Sequence, residues 1–99
     1  YILYKELGKL AIASRCSSPK TGIVMEVYTD QPGVQLYTGN WMSGNLRGKH
    51  DHRYPARAAL CLETQHYPDS PNKPEYPSTR LNPGETFRST TIFRFTLEA

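Results

Sequence analysis

Apolar and polar positions alternate along much of this chain with a period of two. Residues 23–29 (IVMEVYT) read as the clearest strand, from a run rich in β-branched and aromatic side chains. In residues 34–38 (VQLYT) the alternation puts Val34, Leu36 and Thr38 on one face and Gln35 and Tyr37 on the other. That period belongs to half-buried strands. Four further runs read as strands: 1–4 (YILY), 10–16 (LAIASRC), 58–64 (AALCLET) and 86–97 (TFRSTTIFRFTL). No stretch carries a convincing helical period, and no internal repeat or low-complexity segment stands out.

The punctuation between these runs agrees with an all-β reading. Residues 17–22 (SSPKTG) form a turn cluster, which predicts a hairpin between the runs on either side. Asp30-Gln31-Pro32-Gly33 and Asn82-Pro83-Gly84-Glu85 are further breaks. Residues 39–57 read as one long loop, and a loop of that length in a small domain is functional or disordered. Pro68, Pro71, Pro74 and Pro77 exclude regular helix or central strand from residues 65–81.

Composition narrows the function classes. At 99 residues the chain is at most one small domain with a limited core. A net charge of +3 is too mild to argue for nucleic acid. Its one basic cluster (Arg47, Lys49, Arg53, Arg57) has no aromatic RNA-binding motif beside it and reads as a solvated loop. No apolar run reaches membrane-spanning length, and no signal-peptide pattern is visible. Neither a nucleic-acid nor a membrane partner is expected. Cys16 and Cys61 lack metal-type spacing and read as buried thiols, which points to a reducing compartment and a cytoplasmic location. The chain opens on an apolar run without Met, so a fragment, a processed chain or a trimmed chain is expected. His50-Asp51-His52 pairs two imidazoles at i and i+2 but has no third ligand, so no metal site is expected. Asp69, in the sequence PDSPN, reads as a turn residue or cap.

Three segments go further. Residues 26–40 (EVYTDQPGVQLYTGN), 61–72 (CLETQHYPDSPN) and 81–91 (LNPGETFRSTT) each resemble motifs of the galactose mutarotase (aldose 1-epimerase) family, in that family's order. The resemblance covers essentially the whole chain, residues 1–99. It implies an all-β fold, the antiparallel β-sandwich of the galactose mutarotase type, of which this chain would be only the C-terminal portion. It also implies interconversion of the α and β anomers of an aldohexose such as galactose or glucose, with no metal or organic cofactor. By the same resemblance, Glu63 in the CLETQ motif would be the general base and Gln35 in the PGVQ motif a sugar contact. The family's acid, a histidine, belongs to an upstream part of the fold. So do a second histidine, an arginine and an aspartate. His50, His52 and His66 do not match those positions, and the missing N-terminal part of the fold is the expected partner. Arg57-Ala58-Ala59-Leu60 departs from the small Ser-Gly step often seen before CLET, a mild change in packing.

The chemistry suits these residue types. Mutarotation needs a base at the anomeric hydroxyl and an acid at the ring oxygen, each proton transfer contributing about 10² to 10⁴ in rate. A carboxylate serves as base when partly desolvated, and Glu63 follows the apolar run Ala58-Ala59-Leu60-Cys61-Leu62, which predicts partial burial at a strand end. A glutamine can donate and accept at once, as a sugar hydroxyl requires. Tyr37 and Trp41 are the nearby aromatics that could stack on a pyranose. Taken without the motif, Glu63 reads as an exposed strand-edge residue and Gln35 as a solvent-facing one. Two other functions compete: a non-catalytic carbohydrate-binding or structural fragment, and a glycoside hydrolase, which needs two facing carboxylates.

Overall fold

The computed structural model describes residues 1–98. It contains seven strands: β1 (Ala11–Ser17), β2 (Ile23–Thr29), β3 (Gly33–Tyr37), β4 (Ser43–Arg47), β5 (Arg53–Pro55), β6 (Cys61–Gln65) and β7 (Thr91–Leu97). The only helical elements among the described residues are two three-residue 3-10 turns, at Lys49–Asp51 and Ser70–Asn72. Every strand pairing is antiparallel. The strands form a three-stranded sheet in the order β1-β2-β7 and two pairs, β3-β6 and β4-β5. The chain is therefore all-β, as its alternating pattern predicts.

The hairpin β1–β2 closes through the predicted turn. The Ser18 carbonyl accepts from the Thr21 and Gly22 amides, and the Ser18 amide donates to the Ile23 carbonyl at 2.9 Å. Gly22 sits at φ +73°, and a Cβ there would lie 3.0 Å from the Glu98 carbonyl oxygen. Only glycine takes that left-handed position without strain. β1 carries a register irregularity between Ile12 and Ser14, while β2 and β7 pair without a break from Ile23↔Leu97 to Thr29↔Thr91.

Two expectations are corrected. Residues 1–4 do not form a strand; they contribute one isolated bridge, Ile2↔Gly33. The tract 39–57 is not a plain loop but contains the β4–β5 hairpin, tied by the Gly48 amide donating to the His52 carbonyl at 2.8 Å. Its short polar strands lack the apolar alternation that announces the others, which is why the pattern does not reveal them.

A chain of hydroxyls joins the two sheets that matter here. The Thr91 hydroxyl of β7 lies 3.0 Å from that of Thr29 in β2 and 2.8 Å from that of Thr64 in β6. A second clip sits beside it. The Gln31 amide nitrogen donates to Ser89 Oγ, Ser89 Oγ donates to Asp30 Oδ1, and the Thr90 amide donates to Asp30 Oδ2. The apolar core around these contacts is small. Val24, Val27 and Val34 are its buried apolar side chains among the described residues. On the same face of the three-stranded sheet as Val27, register places Phe93, Phe95 and Leu97, which are 49%, 64% and 78% exposed. The radius of gyration is 16.8 Å, against about 13 Å for a compact domain of this length. The chain is thus an open set of sheets with uncovered apolar faces.

Candidate functional site

β3 and β6 bring the two candidate residues together. Their register pairs Gly33 with Gln65, Gln35 with Glu63, and Tyr37 with Cys61. Paired residues of antiparallel strands point to the same side, and alternate residues share it. One face therefore carries Gln35, Tyr37, Cys61, Glu63 and Gln65, with Gly33 leaving a gap. The other face carries Val34, Leu36, Leu62 and Thr64 and turns toward the Thr91 corner. Residues separated by 28 positions in sequence thus stand directly opposite one another because a long excursion through the β4–β5 hairpin returns the chain antiparallel.

The polar face is open. Gln35 and Glu63 are both exposed. Glu63 lies at the centre of β6, not at its end, and the partial burial predicted for it is not met among the described residues. The one side-chain hydrogen bond on this face runs from Gln65 Nε2 to Gln35 Oε1, at 3.2 Å. Gln35 and Gln65 also border a cleft of about 540 Å³, with Tyr1, His66, Tyr67 and Tyr76 among its walls. That volume is in the range of small-ligand sites. Glu63 is not part of the lining. Gln35, which lines the cleft, is paired directly opposite Glu63.

The remaining candidates are sorted by the same geometry. Tyr37 shares the Glu63 face, next to Cys61. Trp41 lies beyond the end of β3 and is 86% exposed. His50 and His52 sit in the β4–β5 connection with ring centroids 6.5 Å apart. Among the described residues no group of three His, Cys, Asp or Glu side chains could hold a metal ion. His66 is the histidine that reaches the Gln35 cleft. Asp69 occupies the left-handed position before the 3-10 turn Ser70–Asn72, and its carboxylate accepts from Asn72 Nδ2 at 2.6 Å, so it acts as a turn residue. Of the basic cluster, Arg47 pairs with Asp51 at 3.0 Å on the exposed hairpin. Both cysteines are free thiols, Cys16 half-buried and Cys61 exposed, which corrects the expectation that both are buried. No helix among the described residues is long and apolar enough to cross a membrane.

Gln65 is the residue on this face that the motif reading left unassigned. The signal was available: two positions beyond Glu63 in a strand is the same face.

Comparison with known proteins agrees with these motifs. A family model described as aldose 1-epimerase matches residues 5–94. The galactose mutarotase of Mus musculus is 46% identical over 93 residues, covering 94% of this chain and 27% of that protein. The galactose mutarotase of Homo sapiens is 48% identical over 84 residues, covering 85% of this chain and 25% of that protein. The aldose 1-epimerase of Escherichia coli (strain K12) is 37% identical over 90 residues, covering 88% of this chain and 25% of that protein. The chain thus spans about a quarter of the length of the curated relatives it matches. With its antiparallel all-β architecture and a family match over nine-tenths of its residues, the chain belongs to the aldose 1-epimerase family.

Proposed function

We propose that this chain supplies the base side of an aldose 1-epimerase site that interconverts the anomers of a hexose such as galactose or glucose. The observation that carries the reading is the cross-strand pairing of Gln35 with Glu63 on one open polar face. Glu63 takes the proton from the anomeric hydroxyl at C1 while an acid protonates the ring oxygen and the C1–O5 bond opens. Rotation about C1–C2 presents the other carbonyl face. Ring closure then returns the proton from Glu63 to the carbonyl oxygen and the ring-oxygen proton to the acid. Gln35 holds a sugar hydroxyl beside the carboxylate. The acid is a histidine on the upstream part of the fold, which would also cover the Glu63 face and desolvate the base. No metal or organic cofactor takes part, and the free thiols fit a reducing, cytoplasmic setting.

A glycoside hydrolase needs two facing carboxylates, and the side chain facing Glu63 across β3–β6 is an amide.

The decisive test is made in a full-length context, with this chain replacing the matching segment of the Mus musculus relative. There Glu63→Gln keeps the side-chain shape and removes the base. Polarimetry on freshly dissolved α-glucose or α-galactose should show the rate falling by at least about 10² with sugar binding little changed. A rate near that of the parent removes Glu63 from the mechanism.

A further inference from the structure

We propose that Gln65 is a positioning residue that sets the polarity of Gln35, so that Gln35 meets the sugar as a hydrogen-bond donor. The inference rests on the reading of Gln35 and Glu63 given above. It begins with the gap at Gly33. Gln65 stands opposite Gly33, which offers no side chain across the ladder. Gly33 is held in this role by crowding, since a Cβ there would meet Tyr67 Cδ1 at 3.2 Å and the Tyr1 carbonyl at 3.3 Å. With nothing opposite, Gln65 reaches the diagonal neighbour Gln35, a distance long side chains span readily. Its Nε2 donates to Gln35 Oε1 at 3.2 Å.

That bond has a chemical consequence. A glutamine amide has one acceptor end and one donor end, and a free one can present either. With Oε1 turned to Gln65 and one of its two lone pairs engaged, the Gln35 amide presents its two N–H donors to a ligand. A sugar hydroxyl contacted by those donors accepts, and its own proton stays free to be donated elsewhere. Gln65 lines the same cleft as Gln35.

The test is a double-mutant cycle in the full-length context, combining Gln35→Met and Gln65→Met, with KM and kcat measured separately. Gln65→Met keeps the length and removes the donor. It should raise KM about two- to tenfold, the range of one net hydrogen bond, and leave kcat and its pH dependence unchanged. In the Gln35→Met background the same substitution should cost almost nothing, because the group it orients is gone. Gln65→Glu, whose carboxylate can only accept, should be at least as costly as Gln65→Met. A Gln65→Met effect of equal size in both backgrounds would show a packing role and overturn the proposal, as would parental KM in Gln65→Glu. A reading independent of turnover comes from the side-chain amide NMR signals. The Gln65 Nε2 protons should move on Gln35→Met, and an unmoved signal also overturns the proposal. Glu63→Gln, measured alongside, separates the two claims. If it is inactive while the cycle is additive, only the role of Gln65 fails. If it is active, the assignment of the base fails.

Discussion

At the scale of single residues, the site is a matter of which side chain stands opposite which. Glu63 and Gln35 share a register position on the β3–β6 face, with Tyr37 and Cys61 opposed beside them. Gln35 is exposed in this chain, so its value depends on what a bound sugar does to its surroundings. Once the cleft closes around a sugar, a hydroxyl that loses its partner there is costly, because water no longer substitutes. Gln35→Ala should therefore weaken the sugar complex by roughly 1 to 3 kcal/mol in the full-length context. Titration of sugar binding, read beside the mutarotation rate, checks this. Parental affinity and rate together would place Gln35 outside the site. The substitution tests binding and leaves Glu63, the proposed base, in place, so it is complementary to removal of that carboxylate.

At the scale of elements, the site depends on how β6 is fixed to the three-stranded sheet. Thr91 has one hydroxyl proton and lies between two other hydroxyls, so it donates to at most one of them and accepts from at least one. Thr29 is fully buried and keeps a second partner, the Gln31 amide at 3.1 Å, whereas Thr64 has Thr91 as its side-chain partner. Thr91→Val preserves the shape and breaks both bonds. It should lower stability by about 1 to 2 kcal/mol, read as a shift of the urea midpoint in the full-length context, while Glu63 keeps its register. An unshifted midpoint means the hydroxyl chain contributes nothing to holding β6. The strands in this corner were legible in the sequence for a physical reason. Residues 23–29 bury side chains on both faces, Val24 on one and Val27 and Thr29 on the other, and so were read from their β-branched and aromatic content, whereas 34–38 was read from its alternation. The β4–β5 hairpin has no buried face, so nothing in its sequence had to alternate. Residues 1–4 are apolar yet form a single bridge, Ile2↔Gly33, flanked by backbone hydrogen bonds of Tyr1 with Val34 and of Leu3 with Pro32. The roles expected of Glu63 and Gln35 came from the motifs, and their cross-strand pairing came only from the structure. Alternation gives faces, but it does not say which strand comes to lie beside which.

At the scale of the whole molecule, the amount of uncovered surface decides how the chain behaves alone. Its accessible surface is 7934 Å². A compact monomer of 11.3 kDa exposes about 5,700 Å². The surplus of about 2,200 Å² is the size of a permanent protein–protein interface. Phe93, Phe95 and Leu97 on one sheet and Leu36, 41% exposed, on the other belong to its apolar part. β7 is also an outer strand, paired on one side by β2 and unpaired on the other. An apolar face beside an unpaired edge invites association. The purified 99-residue chain should therefore elute from size-exclusion columns above the mass of a monomer or precipitate, and it should not accelerate mutarotation. The remainder of the family fold, supplied as a separate polypeptide, should cover these faces, bring the acid opposite Glu63 and restore both solubility and catalysis. Two separate observations would count against this. A well-folded monomer would show that the surplus surface tolerates water. A monomer that also speeds anomer exchange beyond the buffer rate would mean the chain holds its own proton donor, and His66, already in the Gln35 cleft, would be the first side chain to replace.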